Sequence, residues 1–428
     1  MTSNKAPQEV FVWIWLPNEV EPVIAGRIEA DGKRYVFNYG QSYLALQGAI
    51  PIYEPELPLK RGAILPTEEL TLAGCLRDGA PDAWGRRVII NRMFGKTGGT
   101  IDVGALDELT YLLQSGSDRI GALDFQTSAA KFEPRISGEA SLGELLQIAE
   151  RVEKGVPITP ELERAVFHGT SLGGARPKAA IETGTAKYIT KFSSSNDVTN
   201  VVKAEFVAMR MAATLGLNVA PVELKRAGGK DVILVERFDR VKTERGWARK
   251  PLVSALTLFG LDEMMGRYGS YQELAGIIRA RFTDPKKTLH ELFGRLVFNI
   301  LCGNTDDHAR NHAAFWDGAA LTLTPAYDVC PQNRTGREAN QALLITNDKR
   351  TSTLATCLEV APHFLLNDAA AVELIEQQIV GIRANWAEVC EEAKLSQVDK
   401  GVLWGRQFIN PYVFEDAPPA LAALEHAS

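Results

Sequence analysis

The run Gly303-Asn304-Thr305-Asp306-Asp307-His308-Ala309-Arg310-Asn311 places an acidic oxygen at Asp306 and an amide oxygen at Asn311, five positions later. A second carboxylate, Asp328, follows seventeen residues beyond Asn311 in Leu323-Thr324-Pro325-Ala326-Tyr327-Asp328. Groups of these kinds in this order suit phosphoryl transfer to a hydroxyl: Asp306 can orient the hydroxyl or take its proton, and Asn311 and Asp328 can ligate magnesium on ATP phosphates. The implied chemistry is that of a phosphotransferase. Plainer readings compete with it. Asn304, Thr305, Asp306 and Asp307 are all good helix N-caps, and Asp328 alone would be a turn aspartate. His308 and His312 are spaced i, i+4 as in metal hydrolases, but Ala309 stands where His-Glu-x-x-His chemistry needs its glutamate.

Two upstream segments could complete a phosphate site. Lys191 lies near the end of the strand-like run Lys187-Tyr188-Ile189-Thr190-Lys191-Phe192, where an ammonium can neutralise the α and β phosphates and Glu205 on the next helix can hold it. An ordinary exposed strand lysine, and a glutamate serving the helix dipole, are the alternatives. The loop Ser171-Leu172-Gly173-Gly174-Ala175-Arg176-Pro177-Lys178 can form a nest of N–H groups against phosphate oxygens, since Gly173 and Gly174 admit the dihedrals and the close approach. It departs from Gly-x-Gly-x-x-Gly, and a turn-forming Ser171 is the simpler account.

These residues need a scaffold, and the patterning supplies one. The 428 residues, 45% hydrophobic and 23% charged, can bury a large core divided into two or three domains. Residues 10 to about 55 carry β-branched and aromatic runs broken by turns such as Asp31-Gly32, which predicts antiparallel strands. From about Glu68 the period turns helical, with Asp82 placed to cap a helix. Lys131 to Gly138 reads as a linker before a helix from Ser141 to Lys154. A glycine-rich turn, a strand, a helix from Ala204 to Leu215 ended by Gly216, and the apolar strand Val232-Ile233-Leu234-Val235 follow in the order of a kinase small lobe. Helical patterns over Tyr271 to Arg281, Leu289 to Cys302 and Ala369 to Lys394 fill the remainder. The expected division is 1–138, 139–241 and 242–428, an α+β chain with an N-terminal subdomain and a protein-kinase-like two-lobed fold whose C-terminal lobe is mostly helical.

Charge and cysteine usage exclude several classes. A net charge of -6 gives no electrostatic footprint for direct DNA binding. The five cysteines are scattered without C-x-x-C spacing, so neither zinc nor a disulfide framework is indicated, and a reducing cytoplasm fits. The start is expected to lack a signal peptide, and no apolar run approaches the roughly 18 to 20 residues of a membrane span.

Taken in order, Ser171 to Lys178, Val235-Glu236-Arg237-Phe238-Asp239-Arg240, Gly303 to Asn311 and Pro325-Ala326-Tyr327-Asp328 resemble the HipA family, the serine/threonine kinase toxins of bacterial type II toxin-antitoxin systems. Pro81-Asp82-Ala83-Trp84-Gly85-Arg86 and Asp118-Arg119-Ile120-Gly121-Ala122-Leu123 also look like that family's amino-terminal subdomain. The resemblance implies a kinase using ATP and Mg2+, with Asp306 and Lys191 catalytic and Asn311 and Asp328 on the metal. The nucleotide would meet Gly173, Gly174, Ala175, Lys178, Lys191, His308, Asn311 and Asp328, and its adenine the hinge residues Glu236 and Phe238. His308 would support the catalytic loop by hydrogen bonding, and Ser171 stands at the family's autophosphorylated serine. The implied role is growth arrest by phosphorylating the translation machinery, aminoacyl-tRNA synthetases included. The implied partner is a HipB-like helix-turn-helix antitoxin, through which alone the chain would reach DNA. Tyr327-Asp328-Val329 replaces the Asp-Phe-Gly of eukaryotic kinases, and Arg176-Pro177 and Asp307 stand where relatives can carry other residues. A catalytically silent ATP-binding corepressor is the alternative from another class.

Overall fold

The computed structural model describes the chain apart from residues 1–5, 68, 96–101, 103, 105, 137, 139, 164, 171–175, 195, 196, 198, 335, 427 and 428. Two compact units divide it: Met1–Asp197 with Lys225–Val253 and Phe315–Ala319, and Val198–Leu224 with Ser254–Ala314 and Ala320–Ser428.

The first unit opens with an antiparallel sheet of β1 (Glu9–Ile14), β2 (Val23–Asp31), β3 (Arg34–Tyr39), β4 (Ala63–Ile64) and β5 (Leu123–Gln126) in the order β4-β3-β2-β1-β5. The β-branched run in β1 makes an interior strand, pairing β2 on one side and β5 on the other. Asp82 caps the helix Ala83–Phe94 as expected, its side chain accepting from the Trp84 and Gly85 amides.

A second sheet, order β6-β7-β9-β8, is built from β6 (Lys178–Glu182), β7 (Lys187–Phe192), β8 (Val222–Ala227) and β9 (Lys230–Glu236). Strand period two sorts its side chains. Ala179, Tyr188, Phe192, Val232 and Leu234 share a core with Leu145, Leu146, Ile148 and Val152 of the helix Leu142–Glu153. That helix starts at a capping box in which Ser141 and Glu144 bond each other's backbone N–H. The opposite face of the same strands carries Lys178, Ile189, Lys191 and Ile233, and the register sets Lys178 directly across from Lys191.

The motifs Asp118 to Leu123 and Val235 to Arg240 meet inside this unit in a buried ionic cluster. Asp118 lies 3.1 Å from Arg237, 2.9 Å from Arg240 and 3.2 Å from Lys187. Asp239 pairs with Arg237 at 2.9 Å and Arg240 at 2.8 Å, and accepts the Gly121 N–H at 2.8 Å. Arg119, fully buried, is held by Asp124 at 2.8 Å, which Arg135 also contacts at 2.9 Å. Burial opposes the charge on Asp239, but Arg237 and Arg240 outweigh it and hold the carboxyl down at about 2. Asp118 and Asp124 are lowered in the same way by their guanidinium neighbours. Burial, reinforced by Arg240, pulls the Arg249 guanidinium down to about 9.

These carboxylates have folded pKa values below the ordinary aspartate value of about 3.9, so their stabilisation is complete above that pH and is lost as pH falls through the folded value. The loss is centred between the ordinary value and the folded value of about 2 at Asp239. Urea midpoints measured from pH 5 down to pH 2 should therefore fall steeply in that window. A flat profile there would contradict the cluster.

The second unit is mainly helical: Val201–Thr214, Tyr271–Arg281, Pro285–Cys302 and Asp368–Glu392. Each begins at a side-chain cap, Asn200, Ser270, Asp284 and Asn367. Two starts fall earlier than apolar spacing alone indicates. Asn200 starts its helix at Val201 instead of Ala204, and Asp284 with Pro285 starts the next at Pro285 instead of Leu289, because caps and N1 prolines set the boundary before the first buried residue. Glu205 consequently sits beyond the first turn, buried, and is not a helix-start dipole residue. Leu289, Leu292, Phe293, Leu296 and Val297 are wholly buried along Pro285–Cys302. Among the described residues no helix is long and apolar enough to cross a membrane.

Candidate active site

Helix Pro285–Cys302 stops at Gly303, whose φ of 72° is left-handed. A Cβ there would stand 2.9 Å from the Gln407 carbonyl oxygen, so backbone sign and space both demand glycine. Gly303→Ala should cost roughly 1–3 kcal/mol, more than Gly260→Ala, where φ is 68° but no atom of the described residues lies within 4 Å. Thermal denaturation of the two variants checks this, and equal losses would remove the close approach from the argument.

Beyond Gly303 the chain turns outward and is pinned by its backbone: Gln332 N–H donates to Gly303 O at 2.9 Å, Ala342 N–H to Thr305 O at 3.0 Å and Leu343 N–H to Asp307 O at 3.1 Å. Asp306 is exposed on this loop. Asn311 donates its Nδ2 to the Asp306 carbonyl at 3.1 Å, which closes the loop and leaves the amide oxygen as its acceptor end. The N-cap reading of Asn304, Thr305, Asp306 and Asp307 fails, because the next helical turn is the 3-10 stretch Ala309–Asn311, with His308 before it and no side-chain cap bond. His308 and His312 both have extended backbone at the ends of that turn, so they do not form the helical pair of a metal hydrolase.

Asp328 is reached five residues past the short strand Leu321–Leu323. Its φ of 59° is left-handed, uncommon for a residue with a Cβ and a conformation that aspartate tolerates better than most. The turn is fixed from both sides. Ala326 N–H donates to Asn218 O at 2.8 Å, and Tyr327 Oη donates to Arg310 O at 2.7 Å. Tyr327 precedes Asp328 and Arg310 precedes Asn311, so this bond brings the two proposed metal-binding segments together. Oxygens from an aspartate and an asparagine are the hard donors magnesium takes, and the donor set fits that ion. Arg310 is itself clamped by Glu263, which accepts from its Nε at 2.9 and 3.1 Å.

Beneath the loop lies a buried polar trio that local spacing does not disclose. Tyr271 Oη donates to Asp307 Oδ2, and His312 Nε2 lies 2.8 Å from Asp307 Oδ1. Tyr271 and His312 rings meet edge-on at 5.3 Å. Burial opposes ionisation of Asp307, but His312 and the Tyr271 hydroxyl outweigh it and hold the carboxyl below the usual range. Burial and then the Asp307 charge push the Tyr271 hydroxyl well above its usual value. The buried imidazole under the loop is thus His312, whereas His308, expected to support it, is exposed.

Apart from Glu205, on helix Val201–Thr214 of the second unit, the other expected residues belong to the first unit. Lys178 and Lys191 are both buried and directly opposed across β6 and β7, so their side chains share one face. Trp84 Nε1 donates to Lys178 O at 3.0 Å and anchors that strand. Glu236 ends β9 opposite Tyr188 and is half-buried, and Phe238 stacks edge-on with Phe315 at 5.8 Å. Ser171, Gly173, Gly174 and Ala175 lie outside the described residues.

The fold is α+β, and similarity to known proteins places it. Residues 19–126 match the HipA N-terminal domain and residues 170–386 the HipA-like C-terminal domain. The chain belongs to the HipA family. It is similar to a serine/threonine-protein kinase toxin HipA of Shewanella oneidensis, with 27% identity over 186 residues, 37% of this chain and 42% of the relative. A putative kinase of Haemophilus influenzae is 25% identical over 179 residues, 37% of this chain and 52% of the relative. The chain thus spans about half or less of these curated relatives' length. The Shewanella oneidensis HipA solved with HipB and its operator DNA superposes over 97% of this chain and 96% of that one, with a TM-score of 0.66 at 18% identity.

Proposed function

We propose that this chain is an ATP- and magnesium-dependent protein kinase that transfers phosphate to serine or threonine hydroxyls and serves as a toxin in a type II toxin-antitoxin system. The observation that carries the reading is the bond from Tyr327 Oη to Arg310 O, which joins the Asp306–Asn311 loop to the Asp328 turn. Asp306, exposed, orients the acceptor hydroxyl and takes its proton. Asn311 and Asp328 hold magnesium, which supplies charge neutralisation on the phosphates when bound. Lys178 and Lys191, with the Gly173-Gly174-Ala175 loop, hold the phosphates, and His308 belongs to the same nucleotide-binding set. Glu236 and Phe238 border the adenine. Phosphorylation of Ser171 would add nearly two negative charges beside the phosphates and switch the kinase off. The three-part division 1–138, 139–241 and 242–428 belongs to the same proposal.

The partner is a HipB-like helix-turn-helix antitoxin, as the Shewanella oneidensis complex suggests, and DNA is met through it. The cell target is a protein of the translation machinery in the cytoplasm, an aminoacyl-tRNA synthetase by family resemblance. Purified protein given γ-labelled ATP, magnesium and bacterial extract should label protein serine or threonine, and chelation of the metal should abolish the label. Labelling of nothing at all would leave the silent corepressor as the better account. Intact mass after ATP treatment, against Ser171→Ala, tests the autophosphorylation.

A further inference from the structure

The residues that would do the chemistry are themselves solvent-facing, which raises the question of what fixes the loop bearing them. Asp306 is exposed and Asn311 and Asp328 are half-buried. Below them runs an unbroken line of buried polar side chains. Asn304 Nδ2 donates to Asn299 Oδ1 at 3.0 Å, Asn299 Nδ2 donates to Tyr271 Oη at 3.4 Å, Tyr271 Oη donates to Asp307, and Asp307 meets His312 at 2.8 Å. Exposure is 4% at Asn299, 2% at Asn304, 1% at Asp307, 4% at His312 and nil at Tyr271. The line therefore touches the loop just before Asp306, just after it, and just after Asn311.

Stability alone does not account for this arrangement. Burying a carboxylate is costly, and a well-packed apolar group of similar volume commonly serves a core at least as well. The network is not even complete, since Asn304 Oδ1 and His312 Nδ1 are buried without hydrogen-bond partners among the described residues. What it does provide is direction. Asp307 is gripped through both carboxylate oxygens by Tyr271 and His312, and through its backbone oxygen by Leu343. A residue held at three points limits the freedom of its neighbour Asp306. His312 is tied at its other end too, its carbonyl accepting the Ala255 N–H at 2.7 Å.

We infer that Tyr271 is a positioning residue for phosphoryl transfer, acting through Asp307 and His312 to hold Asp306 and Asn311 in register with each other. The inference rests on the kinase reading and adds to it a residue that meets neither nucleotide nor acceptor. Tyr271→Phe deletes the hydroxyl and keeps the ring against His312. Asp307→Asn deletes the charge and keeps the shape.

The test is steady-state label transfer from ATP to extract protein for wild type, both single variants and the double variant, with circular dichroism and melting temperature alongside. Each single variant should lose about tenfold or more in kcat, since displacements of about 1 Å at a reacting group cost on the order of a hundredfold. KM for ATP should change far less. Because the two residues act as one device, the double variant should be no slower than the slower single variant, as coupled sites are not additive. An active wild type with unchanged kcat in Tyr271→Phe, multiplying losses in the double variant, or a loss confined to melting temperature would overturn the assignment and leave the kinase reading standing. A wild type that transfers no label would bring down both.

Discussion

Asp306→Ala should lower phosphoryl transfer by roughly 10²- to 10⁴-fold, the usual contribution of a positioned acid or base, while melting temperature and circular dichroism stay those of the wild type. Two observations separate the effects. Asp306 is exposed, so truncation creates no cavity. Its backbone oxygen, not its carboxylate, receives the Asn311 amide, so the loop stays closed in the variant. Asp306→Asn keeps the shape and should be nearly as slow, because an amide can orient a hydroxyl but cannot take its proton. Rates within a factor of about two of wild type in both variants would remove Asp306 from the mechanism.

Asp239→Ala should be the most damaging single change to folding, at about 3–5 kcal/mol, the penalty for breaking a buried ion pair by deleting one partner. The deletion strands Arg237 and Arg240, both buried, and leaves the Gly121 N–H without its acceptor. Asp118 compensates only in part, since it already serves both guanidinium groups and Lys187. Urea denaturation measures the loss directly. A cost under about 1 kcal/mol, typical of exposed pairs, would mean that the cluster is far better solvated than its burial indicates.

What sequence reading reached, and what it missed, follows from distance along the chain. The Gly303 to Asn311 loop was legible because its glycine stop, acidic residue and amide lie within one short run. The helix Tyr271–Arg281 was legible because its apolar positions repeat at helical spacing. Tyr271 as the partner of Asp307 was not, since the two stand 36 residues apart and meet only through packing. Asp118 and Arg240, 122 residues apart, were likewise visible as family marks but not as a pair. The opposition of Lys178 and Lys191 needed the β6–β7 register, which no local pattern fixes. Helix starts were misjudged at Asn200 and Asp284 because polar caps, rather than the first buried side chain, decide where a helix begins.

The ionic cluster also bears on how far the chain can be trimmed. Arg237 and Arg240 flank Phe238 just beyond the end of β9, yet Asp118 and the Gly121 carbonyl that Arg240 bonds at 2.9 Å lie in the segment just ahead of β5. A version begun after residue 138 would keep both arginines and lose half of their counter-charges. The amino-terminal segment is therefore no detachable appendage: it supplies the Asp118 carboxylate that helps keep two buried guanidinium groups paired.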